Sequence, residues 1–315
     1  MPVEAPPFFI VGSARSGTTL LRLMFNAHPD VAVPPESRFV TELFQGHEDV
    51  DVDEFLRELS AHKRWHEWDI PIGAVAEELL GHERVPYRDA IAAAFGAYAR
   101  AHGKSRWGDK TPRYIESIDL LARLFPEGRF VHLVRDGRNV ALSYAHVPFG
   151  PKTVGAAAAL WSRRVEAGVR AGRPLGRDRY LEVRYEELVA DAAATIQDLC
   201  GFIGIAFDEG MLDHTRRARE AVLPRASRYN PHVTEPPRKK IRSWEQDMPA
   251  KDVEVFEAVA GRTLSLLGYE RRFPHPGLRA RMIAELGRRK LPVGRLRDAG
   301  AGARSTGDER EPDRA

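Results

Sequence analysis

The chain has 315 residues and a net charge of +3, with 43% hydrophobic and 30% charged residues, a composition typical of globular proteins. No apolar run approaches the roughly 18 to 20 residues that a membrane span requires, and the first residues lack the basic and apolar regions of a secretory signal. The single cysteine, Cys200, excludes an intrachain disulfide. We therefore expect a cytoplasmic protein without a membrane span.

The first predicted element is a strand from Phe8 to Val11, apolar throughout, as in a parallel sheet covered on both faces. Gly12 and Gly17 bound the loop that follows, and backbone amides of such a loop can converge on an anion at a helix N-terminus. The glycines have the spacing of a Walker-type loop, but Thr18 replaces its lysine, which disfavours an ordinary ATPase or GTPase. The cation nearest a bound anion would be Arg15. A simple tight turn between strand and helix is the alternative.

The next part of the chain predicts a short strand and then a helical insertion. Residues 31–33 read as a strand that stops at two prolines, and Glu36 opens the following segment. Residues from about 51 to 102 read as helices that cap the fold. Within them, Trp65 and Trp68 could line a pocket, but core packing is the default for tryptophans at this spacing.

Strands and helices alternate along most of the remaining sequence. A candidate edge strand covers residues 105–109, and further strands are predicted at 130–134 and 180–183, with helices after each of them. We therefore predict an α/β, P-loop-like fold in three layers, with a mostly parallel central sheet flanked by helices. It would form a single domain over residues 1–291.

The last part of the chain is basic and irregular. Residues 222–244, rich in proline and arginine, predict a long loop that acts as a lid and closes over an anion, with Lys240 and Arg242 as candidate ligands. From Arg271 to Ala315 there are 12 Arg and Lys against 6 Asp and Glu. No aromatic residues are interleaved with these charges. The composition therefore predicts that residues 292–315 form a solvated, disordered tail and do not bind nucleic acid.

A second candidate anion site follows the strand at 130–134. Arg135 would lie at the carboxyl end of that strand, where ligands bind open α/β sheets, and Ser143 two turns into the next helix. An arginine fork and a serine hydroxyl can share one phosphate. Taken alone, Arg135 could equally pair with a nearby carboxylate. Together with the first loop, the motif suggests two anion sites on one sheet edge, as a nucleotide phosphorylated at both ends would need.

These motifs resemble those of the sulfotransferases that use 3'-phosphoadenosine 5'-phosphosulfate (PAPS), most of all the tyrosylprotein sulfotransferase branch and its bacterial relatives. Residues 12–20 are similar to the 5'-phosphosulfate loop of that family, and residues 134–143 to its 3'-phosphate motif. The resemblance spans roughly residues 8 to 268. It implies PAPS as the donor, bound by residues of both motifs: Arg15, Ser16, Gly17, Thr18, Thr19, Arg135 and Ser143.

Three further segments resemble the same branch. They imply that Glu36 is the catalytic base, that Lys110 is a catalytic lysine and that Tyr185 contacts the nucleotide. Arg15 of the loop would be the third catalytic residue. Each has an ordinary alternative, since Glu36 could cap a helix, Lys110 could lie on the surface and Tyr185 could belong to the core. His132, in a strand between apolar neighbours, reads as a core histidine and not as a catalyst.

The resemblance implies transfer of a sulfuryl group from PAPS to a hydroxyl or amine of an acceptor by in-line displacement, without a metal. A small-molecule, glycan or peptide acceptor fits the sequence equally, and the oligomeric state stays open. One alternative is a P-loop-like kinase or NTPase with a degenerate Walker loop, in which Asp109 and Asp136 could ligate Mg²⁺. Another is a non-catalytic nucleotide-binding scaffold, which would tolerate loss of Glu36 and Lys110.

Overall fold

The protein is built around a central sheet of five parallel strands. The structure is a computed structural model and describes residues 6–213 and 243–290. The strands of the described residues are Phe8–Val11 (β1), Val31–Ala32 (β2), Asp49–Asp51 (β3), Arg84–Pro86 (β4), Arg106–Lys110 (β5), Arg129–Val134 (β6) and Tyr180–Arg184 (β7). The sheet order is β2-β5-β1-β6-β7, and every neighbouring pair is parallel. The short strands β3 and β4 form a separate antiparallel pair.

Helices cover both faces of the sheet. Those of the described residues are Thr18–Ala27 (α1), Phe39–Glu42 (α2), Val52–Ala61 (α3), Ile72–Glu78 (α4), Tyr87–Ala101 (α5), Ile118–Leu124 (α6), Gly137–Tyr144 (α7), Val154–Gly172 (α8), Tyr185–Ala190 (α9), Ala192–Ile203 (α10), Trp244–Asp247 (α11), Ala250–Leu266 (α12) and Leu278–Lys290 (α13). Short 3-10 turns lie at Trp65–Trp68, Pro112–Glu116, Arg173–Leu175 and Glu209–Met211. None of the described helices is long and apolar enough to cross a membrane.

The alternation of side chains along β1 divides the core between the two faces of the sheet. Phe9 and Val11 pack into a cluster with the insertion helices, while Phe8 and Ile10 pack into a cluster with α1 and α10. A third cluster joins α7, α8 and α12. The predicted α/β fold, with a mostly parallel sheet between layers of helices, is therefore confirmed.

One strand lies in a different place from the prediction. The candidate edge strand corresponds to β5, which lies inside the sheet between β2 and β1. Asp109 and Lys110 of this strand are buried. The ring of Phe8 lies directly over Gly108 and occupies the space that a side chain there would need. The edge prediction is wrong because β5 pairs with β1 on one side and with β2 on the other.

The helical insertion packs its aromatic residues into the core. Trp65 and Trp68 are both buried, which confirms the core-packing prediction for them. The ring of Trp68 also contacts those of Phe39 and Phe95. The candidate ligands Lys240 and Arg242, most of the predicted lid and the predicted tail lie outside the described residues.

Candidate active site

The loop between β1 and α1 has the backbone geometry of an anion cradle. Gly17 precedes α1 with φ +96°, a value that favours glycine, and no side chain caps the helix. The first amides of α1 therefore lack a helical partner, which is the usual basis of anion binding at a helix N-terminus. A methyl group at Gly17 would overlap the Tyr185 ring, and one at Gly12 would lie 2.6 Å from the carbonyl oxygen of Leu133.

Two serine hydroxyls of this loop are buried and have no hydrogen-bond partner among the described residues. They belong to Ser13 and Ser16, both almost fully buried. A buried hydroxyl without a partner costs free energy, and a bound anion would supply one. The loop therefore differs from a simple tight turn. Ser16 was predicted as a ligand and Ser13 was not, although Ser13 lies in the same glycine-bounded loop.

The two predicted phosphate motifs meet in one cluster. Arg15, itself at φ +72°, donates from Nε to Oγ of Ser143 over 3.0 Å. Arg135 donates from Nη1 to the backbone oxygen of Arg15 over 3.2 Å, and its guanidinium lies 4.4 Å from the centre of the Tyr185 ring. Residues of the two predicted anion sites are thus in direct contact.

The carboxylate alternative for Arg135 finds no support in the structure. Among the described residues Arg135 forms no ion pair, and its Nε is buried without a hydrogen-bond partner. Tyr185 is half-buried and forms a wall of the loop beside Gly17. Both side chains therefore lie where an anionic ligand at the loop could reach them.

Glu36 and Lys110 form an ion pair beside this loop. Nζ of Lys110 lies 2.8 Å from Oε1 of Glu36, and the side chains are 6% and 28% exposed. Lys110 is in register with Ile10 at the end of β1, which places the pair at the carboxyl edge of the sheet. Glu36 does not cap a helix, since α2 follows Arg38 without a side-chain cap. The helix-cap alternative for Glu36 and the surface alternative for Lys110 are therefore wrong.

The charges around Glu36 keep it ionised. Burial alone would raise the pKa of this carboxyl, but Lys110, through its charge and its hydrogen bond, together with Arg38 and Arg64, lowers the pKa below its ordinary value. Arg22 of α1 also interacts with Glu36 electrostatically. A carboxylate that is ionised at neutral pH can accept a proton.

Behind the ion pair lies a cluster of buried polar side chains that the sequence analysis did not predict. Ser37 donates to the carboxylate of Asp109, and its hydroxyl lies 2.9 Å from that of Tyr114 and 3.3 Å from Oγ1 of Thr111. Burial raises the pKa of Asp109 to about 7, against the hydrogen bonds from Ser37 and Thr111 and the charge of Lys110, which lower it. Oδ1 of Asp109 has no hydrogen-bond partner among the described residues.

The Asp109 carboxyl should give the protein a stability that declines as pH rises. Folding raises its pKa from 3.8 to about 7, so the folded protein keeps a proton that the unfolded chain has released. The stabilisation is full below about pH 4 and is lost as the pH rises through about 7. Asp109→Asn cannot titrate and should lack this decline. Thermal unfolding of both proteins from acid to neutral pH measures it, and parallel curves would contradict the raised pKa.

Asp136 and Arg138 anchor the helix that carries Ser143. The carboxylate of Asp136 accepts hydrogen bonds from the backbone and side chain of Arg138, and so caps α7. Nη1 of Arg138 lies 2.6 Å from Oε1 of Glu257 in α12, and both side chains are buried. Both oxygens of the Asp136 carboxylate thus accept hydrogen bonds from Arg138.

His132 is a core residue, as predicted. It lies fully buried on β6, with Nδ1 2.6 Å from the hydroxyl of Tyr180, and burial lowers its pKa to about 4. At neutral pH this histidine is therefore neutral and enclosed in the core.

Comparison with known proteins gives the same assignment as the motifs. A family model described as the sulfotransferase family matches residues 6–209. The chain is 26% identical over 276 residues to a protein-tyrosine sulfotransferase of Drosophila melanogaster, with 85% of this chain and 52% of that protein covered, so it spans about half of that relative. It is 28% identical over 298 residues to the nodulation protein NoeE of Sinorhizobium fredii, with 85% and 67% covered.

A solved structure shares the fold. The sulfotransferase domain from the curacin biosynthetic pathway superposes with a TM-score of 0.60 at 19% identity, covering 84% of this chain and 99% of that one. The resemblance to tyrosylprotein sulfotransferases and bacterial relatives is confirmed by the curated matches. Because the family model covers more than half of the sequence, the chain belongs to the sulfotransferase family.

Proposed function

We propose that this sulfotransferase uses PAPS as its donor and transfers the sulfuryl group to a hydroxyl or amine of an acceptor by in-line displacement. The observation that carries the proposal is the position of the Glu36–Lys110 pair directly beside the β1–α1 loop. The amide of Gly12 contacts the backbone oxygen of Pro112, two residues after Lys110, over 3.4 Å. An anion cradle thus borders an ionised carboxylate and a buried ammonium group.

The donor-binding roles follow from this arrangement. The amides from Ser16 to Thr19, together with Arg15, would hold the 5' end of the nucleotide, where negative charge suits a helix N-terminus. Arg135 and Ser143 would hold the 3'-phosphate, and Tyr185 would border the nucleotide. The unpartnered hydroxyls of the loop fit an oxyanion ligand. When bound, PAPS supplies the sulfuryl group and a leaving phosphate.

The catalytic roles rest on the ion pair. Glu36 would accept the proton of the acceptor hydroxyl, because it is ionised and partly exposed. Lys110 would place its positive charge where negative charge develops on the leaving oxygen. Positioning and electrostatics dominate the related transfer of phosphoryl groups, and these side chains supply both.

The two alternatives receive less support. A kinase or NTPase needs a loop lysine, and Thr18 stands in its place. Of its candidate Mg²⁺ ligands, Asp136 is engaged by Arg138, and burial raises the pKa of Asp109 to about 7, which disfavours the carboxylate form that a Mg²⁺ ion needs. Among the described residues no group of three or more His, Cys, Asp and Glu side chains is arranged to hold a metal ion. A non-catalytic scaffold would have no use for the Glu36–Lys110 pair.

The acceptor is the least constrained part of the proposal. Relatives named protein-tyrosine sulfotransferase make a tyrosine hydroxyl in a peptide the first acceptor to test, before glycans and small molecules. Incubation with PAPS and a panel of such acceptors, followed by mass spectrometry for a gain of sulfonate, would identify it. The cytoplasmic location stays a prediction.

Binding of the desulfonated product tests the donor assignment. We expect 3'-phosphoadenosine 5'-phosphate to bind in the presence of EDTA, and to bind more tightly than ATP, because the cluster offers groups for a phosphate at each end and no Walker lysine. Calorimetry measures both affinities. Tighter binding of ATP, or a requirement for Mg²⁺, would favour the NTPase alternative.

A further inference from the structure

The segment that carries Glu36 is held by side chains on each side of that residue. On one side, Nε1 of Trp68 donates to the backbone oxygen of Pro35 over 3.0 Å. On the other side, the amide of Ser37 donates to Oγ1 of Thr111 over 3.1 Å, and the Ser37 hydroxyl donates to Asp109. Residues 34–38 belong to no strand or helix, so these bonds fix the backbone there.

The same bonds reach the residues on either side of Lys110. Asp109 and Thr111 precede and follow it in the chain, and both bind Ser37, the residue after Glu36. The segments 35–37 and 109–111 are therefore joined at Ser37, and the joint is buried, with Tyr114 as a further partner. With the two segments joined in this way, Oε1 of Glu36 lies 2.8 Å from Nζ of Lys110.

We propose that Ser37 and Asp109 are positioning residues, whose buried hydrogen bond sets the register that brings Glu36 against Lys110. The inference adds to the proposed function, since it concerns the residues proposed there as base and lysine. Buried polar groups that satisfy one another favour a single arrangement, and loss of one partner leaves the other unpaired. Without the Ser37 hydroxyl, Glu36 would sample positions away from Lys110.

The first test measures the Glu36 carboxyl directly in the unliganded protein. In Ser37→Ala we expect the pKa of Glu36 to rise, because Lys110 would no longer hold the carboxylate at hydrogen-bond distance. The other charged groups that face Glu36 are Arg22, Arg38 and Arg64, which are unchanged, and Asp109, a like charge that loses the Ser37 hydrogen bond and is tested by its own variant below. NMR of ¹³C-labelled glutamate across pH reports this value without any need for activity. An unchanged pKa would overturn the proposal.

Asp109→Asn is the second variant, because it keeps the size of the side chain and an oxygen that Ser37 can still bind. It should shift the pKa of Glu36 less than Ser37→Ala does. If Ser37→Ala does not fold, Asp109→Ala takes its place, with Asp109→Asn as its reference because both remove the same charge near Glu36. Equal pKa values of Glu36 in these two variants would count against the proposal.

A matched control separates positioning from general loss of a buried hydrogen bond. Tyr180→Phe removes the buried bond to His132 on β6. It should lower the melting temperature but leave the pKa of Glu36 and the turnover unchanged. Ser37→Ala should lower kcat about 100-fold, the cost of a small misplacement of a reacting group, with little change in donor affinity.

The two readouts distinguish this proposal from the proposed function. If the wild-type protein sulfonates no acceptor but the pKa of Glu36 rises in Ser37→Ala, the positioning role holds and the reaction is misassigned. If turnover is measurable and equal in Ser37→Ala and Tyr180→Phe, with no shift in the pKa of Glu36, Ser37 is only structural.

Discussion

Glu36→Gln should lower turnover by about 10²- to 10⁴-fold and leave donor affinity nearly unchanged. The amide keeps the shape of the side chain and can still accept a hydrogen bond from Lys110, but it cannot take a proton from the acceptor. Glu36 lies beside the anion loop and not within it, so binding of the nucleotide should not depend on its charge. Single-turnover sulfonation measures the rate, calorimetry with 3'-phosphoadenosine 5'-phosphate measures the donor affinity, and thermal unfolding measures the stability of the same variant.

Glu42→Gln is the matched control. Glu42 lies six residues further along the chain and pairs with His62 at 3.0 Å, so the substitution removes a carboxylate of a similar kind. It should leave turnover unchanged. A Glu36→Gln protein that is destabilised but fully active would contradict the assignment of the base and move attention to another carboxylate.

Arg135→Ala should weaken binding of 3'-phosphoadenosine 5'-phosphate by about 10- to 150-fold, the loss of a charged hydrogen bond of roughly 1.5 to 3 kcal/mol. The loss should be smaller for adenosine 5'-phosphate, which lacks the 3'-phosphate. Some loss of affinity for adenosine 5'-phosphate is expected as well, because Arg135 also donates to the backbone oxygen of Arg15 in the β1–α1 loop. Calorimetry with both nucleotides gives the two values.

Arg179→Ala serves as the control for this variant. Arg179 also donates to backbone oxygens, those of Gly128 and Phe125, but it precedes β7 and lies at the opposite end of the strands. Loss of the Arg179 side chain should leave the affinity for both nucleotides unchanged. If Arg135→Ala weakens both nucleotides equally, Arg135 supports the loop and does not bind the 3'-phosphate.

Local sequence patterns were sufficient to predict the sheet and the anion loop. The apolar run from Phe8 to Val11 and the glycines after it determine the strand, the turn and the uncapped helix within one short segment. The strand before Arg135 carries the same kind of local signal. Such patterns depend on neighbours in sequence, so they can be read without knowledge of the tertiary structure.

The contacts between distant segments could not be read in this way. Ser37 and Asp109 are 72 residues apart, and Arg15 and Ser143 are 128 residues apart. The internal position of β5 depends on its pairing with β1 and β2, and its residues Asp109 and Lys110 find their partners Ser37 and Glu36 in a distant segment. Each error concerns a polar residue whose burial is compensated by a distant part of the chain.

The buried pairing of Arg138 with Glu257 bears on how much of the chain is needed to build the donor site. Glu257 also accepts hydrogen bonds from the backbone amides of Arg272 and Phe273, so α7 is tied to a segment near the end of the described residues. The match to the family model ends at residue 209. A fragment that ended there would contain the proposed ligands from Arg15 to Tyr185 but not Glu257. Arg138 would then be a buried cation without one of its two carboxylates. We therefore expect the unit that holds Ser143 in place to include α12 and the segment around Phe273, beyond the residues that the family model matches.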